Sequence, residues 1–190
     1  MNEPDLKQEL FRLIKEKVYR YSEEEFTLAS GKKSHLYFNC KEVLLYPERL
    51  SLVASYMVDF LIPSLGIVPE SVGGLTMGAD PLSYSIYLEY FKKGKIVYPL
   101  VVRKETKDHG TKKLVEGALS NVKSCLVLDD VITTGGSTLK AVKALRESGI
   151  EVTKGVCILD REEGGFEALK EHGVEMLSLF KKTDFGSEKK

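Results

Sequence analysis

The stretch from Cys125 to Leu145 constrains the fold of this chain more than any other. Four consecutive apolar residues, Cys125–Leu128, lead into two aspartates, a loop of Thr, Gly and Ser, and then apolar residues at helical spacing. An uninterrupted apolar run is typical of a strand buried on both faces of a parallel sheet, and a spacing of three to four residues is typical of an amphipathic helix. The stretch therefore predicts a buried strand, a tight loop and a helix.

The loop in this stretch has the features of a phosphate-binding loop. Gly135 and Gly136 lack a Cβ atom, so their backbone can turn sharply and come close to a ligand. Ser137 or Thr138 is expected to cap the following helix, whose unpaired N–H groups and dipole favour an anion at its first turn. Hydroxyl groups add further donors, on Thr133, Thr134, Ser137 and Thr138. The loop matches neither the Walker A nor the Gly-x-Gly-x-x-Gly pattern.

Two carboxylates, Asp129 and Asp130, stand directly before this loop, although a bound phosphate would repel them. A ligand that carries both a phosphate and vicinal hydroxyls resolves the conflict. Carboxylates can accept hydrogen bonds from sugar hydroxyls, or hold a divalent metal through water, while loop amides hold the phosphate. Ribose 5-phosphate has this layout; the alternative is an ordinary strand-to-helix turn of an α/β domain.

Strand-like and helix-like segments alternate along the rest of the chain. Apolar residues at helical spacing predict helices that begin near Pro4 and Pro47, and Asp80 is expected to cap a third helix. Short apolar runs predict further strands, at 71–74, 96–102, 152–159 and 174–180. Pro99 is expected to break the second of these. The alternation predicts an α/β fold with a mostly parallel central sheet flanked by helices, and ligands outside the carboxyl ends of its strands.

The composition fits a single domain at 1–190, since 190 residues with 43% hydrophobic content can bury a sizeable core. A formal net charge of +0 argues against nucleic acid as a partner. No apolar segment approaches the ~20 residues of a membrane span. The three cysteines form no Cys-x-x-Cys pair, and their odd number indicates a reducing compartment, so the prediction is a cytoplasmic protein. The charged tail at 181–190 is expected to fray.

The run Val127–Ser137 resembles the phosphoribosyl pyrophosphate (PRPP) motif of type I phosphoribosyltransferases. The resemblance implies the fold of that family, with a small N-terminal hood beside the central sheet. It also implies that Mg²⁺ is carried with PRPP, near Asp129 and Asp130. The implied PRPP-binding residues are Asp129, Asp130, Val131, Ile132, Thr133, Thr134, Gly135, Gly136 and Ser137.

The segment 103–113 is rich in charge, which by composition alone indicates a solvated loop. Its run Arg-Lys-Glu-x-Lys-Asp-His-Gly is similar to the flexible active-site loop of orotate phosphoribosyltransferases, here at about 104–116. In that family the basic residues reach the active site of the neighbouring subunit, which implies a homodimer with a shared site. The implied PRPP contacts are Arg103, Lys104, Lys107 and His109. Catalytic roles are implied for Lys107, His109, Asp129 and Asp130.

Two further segments resemble the base pocket of the same family. Phe26–Ser34 is similar to an N-terminal segment that helps form the pocket, although a plain hairpin is the alternative. Arg161 follows a predicted strand at the position of an arginine that pairs with the orotate carboxylate, a group that suits a guanidinium fork; the alternative is a surface ion pair. Thr133 is the second implied orotate contact. Some family members have a lysine where this chain has Ala29, and another within the segment that is Gly74–Gly78 here.

Together these resemblances imply an enzyme that converts orotate and PRPP into orotidine 5′-monophosphate and pyrophosphate, with Mg²⁺, in the biosynthesis of UMP. The phosphate loop alone also fits a phosphoribosyltransferase for another base. A second alternative is a PRPP-sensing regulator without catalysis. Such a regulator would be expected to carry a nucleic-acid-binding extension or a basic face, and a neutral chain of 190 residues leaves no room for an added domain.

Overall fold

A six-stranded sheet forms the centre of the fold, and a separate two-stranded sheet lies near the N-terminus. The computed structural model describes residues 2–27, 33–105 and 113–186. Numbered along the chain, the strands are β1 (Tyr19–Thr27), β2 (Lys33–Phe38), β3 (Ser71–Leu75), β4 (Tyr98–Val102), β5 (Val115–Gly117), β6 (Leu126–Ile132), β7 (Lys154–Asp160) and β8 (Glu175–Lys181). The order in the large sheet is β5-β4-β3-β6-β7-β8. All its neighbouring pairs are parallel except β4 with β5, which confirms the predicted mostly parallel sheet.

Helices cover both faces of this sheet. They are α1 (Glu3–Lys17), α2 (Lys41–Leu44), α3 (Pro47–Tyr56), α4 (Asp80–Lys92), α5 (Gly136–Glu147) and α6 (Gly165–Glu171). A π-helical turn, Met57–Leu61, continues α3, and 3₁₀ turns are formed by Pro63–Leu65, Leu119–Asn121 and Lys182–Phe185. Leu128 of β6 packs into the core formed with α1, α3 and α4, whereas its neighbour Val127 packs into the core with α5 and α6. Because successive strand residues point to opposite faces, both faces are buried.

The N-terminal hood consists of the antiparallel strands β1 and β2, whose register shifts between Tyr21 and Phe26. Within the segment Phe26–Ser34, Phe26 and Thr27 end β1, which begins at Tyr19, and Lys33 begins β2. Of the segment predicted to line a base pocket, 28–32 lies outside the described residues. Phe38, the last residue of β2, is buried and faces the core of the main domain.

The C-terminal segment differs from the predicted frayed tail over 181–186. Lys181 ends β8, and Lys182–Phe185 form a 3₁₀ turn. The Phe185 ring is buried, with centroid distances of 5.0 Å to Phe11, 5.7 Å to Phe180 and 6.0 Å to Phe38. Charged neighbours dominate the local composition, but one aromatic side chain that contacts four others, the fourth being Tyr19, is enough to order this turn. Residues 187–190 lie outside the described part of the chain.

Two predictions about the strand and helix ends were wrong. Pro99 does not break its strand but pairs in register with Val72 within β4. Tyr98 donates its N–H to Glu70 O on the β3 side, so the nitrogen of residue 99 faces the other side, where β5 pairs only with Leu100–Val102. No ladder bond is lost there. Asp80 is the first residue of α4 rather than its cap, and its carboxylate instead accepts a bond from Thr76 Oγ1 at 2.6 Å.

Candidate active site

The predicted acid pair lies near the carboxyl end of β6. Asp129 is buried, and its Oδ2 accepts a hydrogen bond from Thr138 Oγ1 at 2.6 Å. Asp129 Oδ1 accepts the N–H of Asp130 at 3.0 Å, and Asp130 Oδ1 accepts the N–H of Val131 at 2.9 Å. Both carboxylates are thus fixed by the strand backbone, and one of them is also fixed by α5.

The environment of this pair favours a bound proton on Asp129. Burial, followed by the charge of Asp130, raises the pKa of Asp129 to about 7, although the hydrogen bonds from Thr138 and from the Asp130 N–H lower it. A carboxyl that titrates near neutral pH can donate as well as accept hydrogen bonds. It can also release its proton when a cation approaches. The pair can therefore bind sugar hydroxyls or a cation.

The predicted phosphate loop surrounds a cavity of about 240 Å³ between β6 and α5. Its lining contains Asp129, Val131, Ile132, Thr133, Thr134, Gly135, Gly136, Ser137, Thr138 and Lys140. Lys140 was not among the residues predicted from the sequence to bind the phosphate. Its position three residues after Ser137, and hence on the same face of α5, was the available signal. We refer to this cavity as the phosphate cradle.

The predicted cap of the helix after the loop was wrong. Gly135, in a left-handed conformation with φ 78°, is the N-cap of α5, which begins at Gly136. Thr138 is instead buried and hydrogen-bonded to Asp129. The helix starts earlier than predicted because a left-handed glycine can make the turn without a side-chain cap. Its first-turn N–H groups therefore belong to Gly136, Ser137 and Thr138.

The connection between β3 and α4 lies against the acid pair. A Cβ atom on Gly78 would stand 2.9 Å from Asp130 Oδ1 and 3.3 Å from Asp129 Oδ1, so this close approach requires glycine. Met77, which precedes it, is 60% exposed. This chain therefore offers backbone and an apolar side chain in the segment where some family members have a lysine.

Arg103 and Lys104 follow β4 at the same edge of the sheet. The Arg103 guanidinium lies 3.5 Å from Glu116 Oε1. Both basic residues line a second cavity together with Ser137 and Lys140, two residues that also line the phosphate cradle. The structure thus brings Arg103 and Lys104 next to the cradle. Lys107 and His109 lie outside the described residues, and of the predicted mobile loop at about 104–116, Val115 and Glu116 are paired with β4 as part of β5.

Arg161 directly follows β7 and is only 3% exposed, so the alternative of a surface ion pair is wrong. Its Nε lies 2.9 Å from Glu163 Oε1, and its Cζ lies 5.7 Å from the ring centroid of Phe38 in the hood. The Arg161 N–H donates to Ile132 O at 2.9 Å, which brings Arg161 beside Thr133 of the cradle. The sequence analysis missed Glu163, although its separation of two residues from Arg161 was visible.

Within 2–27, 33–105 and 113–186, no cluster of three or more His, Cys, Asp or Glu side chains could hold a metal ion by itself. None of the helices described in those ranges is both long enough and apolar enough to cross a membrane. The three cysteines, Cys40, Cys125 and Cys157, are buried and free.

Comparison with known proteins identifies the family. Residues 71–178 match the family model described as phosphoribosyl transferase domain. Over 176 residues the chain is 60% identical to the orotate phosphoribosyltransferase of Leptospira biflexa, covering 93% of this chain and 95% of that protein. The chain belongs to the orotate phosphoribosyltransferase family.

Solved structures of this family have the same fold. The crystal structure of Mycobacterium tuberculosis orotate phosphoribosyltransferase with Fe(III) dicitrate is 31% identical, with a TM-score of 0.77, and the match covers 96% of this chain and 99% of that one. The complex of the same enzyme with PRPP is 29% identical, with a TM-score of 0.73 over the same shares of the two chains. The predicted family and its α/β fold are therefore confirmed.

Proposed function

We propose that this chain transfers the 5-phosphoribosyl group of PRPP to orotate, giving orotidine 5′-monophosphate and pyrophosphate in pyrimidine biosynthesis. One observation carries the site assignment: a partly buried acid pair, a phosphate cradle and a buried arginine lie together at the carboxyl end of β6 and β7. The relatives named orotate phosphoribosyltransferase and the PRPP complex of one of them support the same reaction.

In this proposal each part of PRPP has a matching group. The phosphate cradle binds the 5-phosphate through the first-turn N–H groups of α5 and the hydroxyls of Thr133, Thr134 and Ser137. Asp129 and Asp130 accept hydrogen bonds from the ribose hydroxyls. Basic side chains bind the pyrophosphate, namely Arg103, Lys104, Lys107 and His109. Arg161 pairs with the orotate carboxylate, and Thr133 is the second orotate contact.

The reaction needs no protein nucleophile. The bond between the anomeric carbon and the pyrophosphate oxygen breaks through an oxocarbenium-like state, and the electron pair leaves with pyrophosphate. A ring nitrogen of orotate then forms the new bond to that carbon, and the proton of this nitrogen is released. Cationic side chains stabilise the growing charge on pyrophosphate, while positioning of the base and exclusion of water prevent hydrolysis of PRPP.

The acid pair also fits a bound Mg²⁺. Magnesium prefers oxygen ligands, and it is usually held by one or two carboxylates together with water and substrate phosphates. Asp129 and Asp130 offer such oxygens beside the cradle. When bound, the ion would neutralise part of the negative charge of pyrophosphate. In our proposal these two residues hold the ion directly or through water.

We further infer a homodimer. An apolar row on α4 is exposed, formed by Tyr84, Leu88 and Phe91, the last of which is 67% exposed. The spacing of four and three residues puts the three side chains on one face. Such a row suits an interface with a second copy, from which Lys107 and His109 would reach the site. The free, buried cysteines support a reducing, cytoplasmic location.

A direct assay tests this function. Purified protein is mixed with PRPP, Mg²⁺ and orotate, and the loss of orotate is followed by ultraviolet absorbance, with uracil and hypoxanthine in parallel by product separation. We expect turnover of orotate alone. Turnover of another base in its place would contradict the base assignment, and binding of PRPP without any turnover would favour a regulator.

A further inference from the structure

The ion pair between Arg161 and Glu163 joins a buried arginine to a partly buried glutamate two residues further along the same turn. The Arg161 side chain is 4% exposed and the Glu163 side chain 17% exposed, with 2.9 Å between Nε and Oε1. Removing a charged pair from water costs free energy that a surface pair does not. In this protein, Glu163 therefore balances the positive charge of Arg161 in the proposed substrate site before any substrate binds.

Glu163 contacts only one edge of the Arg161 guanidinium. A guanidinium carries five N–H donors in a rigid fork, and Glu163 approaches at Nε. A carboxylate that binds side-on between the two terminal nitrogens uses a different edge of the same group. Arg161 can therefore meet Glu163 and a substrate carboxylate together.

The turn that carries both residues is fixed on three sides. Glu162, between them, adopts φ 56°, and its N–H donates to Asp160 Oδ1 at 2.8 Å. Glu162 Oε2 accepts the N–H of Thr183 at 2.9 Å, and the Arg161 N–H is bonded to Ile132 O. The backbone is thus held in place, and the remaining freedom of Arg161 lies in its long side chain.

Two of the contacts that restrict that side chain come from Glu163 and Phe38. One is Glu163 at Nε, and the other is the Phe38 ring, 5.7 Å from Cζ. A cation above an aromatic ring is attracted to the ring face but is free to rotate over it. A carboxylate paired with one nitrogen at 2.9 Å restricts this rotation. Glu163 therefore contributes to the direction in which the rest of the guanidinium points.

We propose that Glu163 is a positioning residue, which orients Arg161 for the carboxylate of the base substrate and so contributes to selection of a carboxylated pyrimidine. The inference rests on the proposed binding of orotate at Arg161. Because the orientation exists before binding, the substrate meets a preformed site and loses less affinity to ordering of the arginine.

The test compares three substitutions. Glu163→Ala removes the acceptor, whereas Glu163→Gln keeps the volume and one acceptor oxygen but removes the charge. Glu162→Gln is the matched control, since it makes the same change of charge in the same turn without touching Arg161. For each protein, KM for orotate, KM for PRPP, kcat and the melting temperature are measured, and orotate affinity is measured by calorimetry.

We expect Glu163→Ala to raise KM and Kd for orotate about tenfold, and Glu163→Gln to raise them about threefold. KM for PRPP should stay within about twofold of the original value, as should all constants of Glu162→Gln. In an Arg161→Ala background, Glu163→Gln should have no further effect on orotate, because Glu163 acts through Arg161.

Three results would overturn the inference. Unchanged orotate affinity in Glu163→Gln would mean that Glu163 does not orient Arg161 for the substrate, and higher affinity would mean that the carboxylate repels the substrate. An equal rise of both KM values with a lower melting temperature would indicate a purely structural role of the turn. If Arg161→Ala leaves orotate turnover intact, both the proposed orotate site and the inference fail. If Arg161→Ala loses turnover while the Glu163 variants keep normal orotate affinity, only the role of Glu163 is rejected.

Discussion

Thr138 illustrates how a single hydroxyl can adjust a reactive pair at the residue scale. It is buried in the first turn of α5 and donates to the carboxylate of Asp129 across the gap between helix and strand. This bond favours the charged form of Asp129, in opposition to burial and to the charge of Asp130. The ionisation of the acid pair therefore depends on the packing of α5 against β6.

Replacing Thr138 by valine should raise the pKa of Asp129 above its present value of about 7. The acidic limb of the pH profile of kcat/KM for PRPP, which reports groups of the free enzyme, should then move to higher pH. The buried acceptor that loses its donor should also cost about 1–3 kcal/mol of stability. Thr138→Ser, which keeps the hydroxyl, is the control. If the pH profile of the valine variant does not shift, ionisation of Asp129 is not the cause of the acidic limb.

Asp129→Asn should change how stability depends on pH. A carboxyl whose pKa is raised on folding stabilises the protein fully below its unfolded value of 3.8, and this contribution is lost as pH rises to about 7. Without ligand, the original protein should lose up to about 1.4 kcal/mol per pH unit from this group within that window. The asparagine variant should lack this slope in urea unfolding at pH 5, 6, 7 and 8. Parallel curves for the two proteins would contradict the raised pKa.

At the scale of elements, the phosphate cradle and the turn that holds Arg161 are in direct contact. α6 begins at Gly165, where an added Cβ would stand 2.5 Å from Ile132 Cγ2, 2.5 Å from Thr133 O and 2.9 Å from Gly135 N. The loop after β6 and the turn after β7 therefore share one packed boundary. A shift of either segment displaces the other.

Gly165→Ala should consequently affect both proposed substrates. Alanine favours a helix by about 1 kcal/mol over glycine, but overpacking against backbone atoms costs about 1–3 kcal/mol. We expect a lower melting temperature and higher KM for PRPP and orotate alike. Gly136→Ala is a control for stability, because its Cβ would have no neighbour closer than 3.9 Å. An unchanged melting temperature of Gly165→Ala would show that the loop after β6 and the turn after β7 can move apart without loss of stability.

Local patterns in the sequence were sufficient to predict the central strands and helices. They were insufficient where the conformation of a segment depends on a contact with a residue outside it. The strand before the acid pair and the helix after it follow from apolar spacing alone, because both cores bury them in regular alternation. The tail was mispredicted because the partners of Phe185, such as Phe11, are far away along the chain. The start of α5 was mispredicted for a similar reason, since Thr138 is engaged by Asp129 rather than by its own helix.

For the whole molecule, the exposed row on α4 bears on activity as well as on assembly. If Lys107 and His109 act in the neighbouring subunit, a protein that cannot dimerise lacks two of its proposed pyrophosphate ligands. In a monomer, Lys107 and His109 would still be part of the chain, but neither side chain would reach an active site. Assembly and turnover should then be lost together.

Phe91→Glu should therefore produce a monomer and lower kcat at least about tenfold, since a charge in the middle of an apolar contact disfavours association. Sedimentation analysis gives the mass, and the orotate assay gives the rate. Val68→Glu is the matched control, because Val68 is also exposed, at 56%, and lies before β3 rather than on α4. An active Phe91→Glu monomer would exclude a site shared between subunits.

The aromatic cluster around Phe185 has a consequence for the order in which a nascent chain matures. Phe38 of the hood contacts both Phe185 and Arg161, so the proposed base pocket depends on packing from a turn that is synthesised after every strand of the central sheet. β6 and α5, which carry the phosphate cradle, end 38 residues before Phe185, since α5 ends at Glu147. Chains fold from the N-terminal side as they emerge. The sugar-phosphate half of the site can therefore take shape earlier in translation than the base half, whose packing requires Phe185.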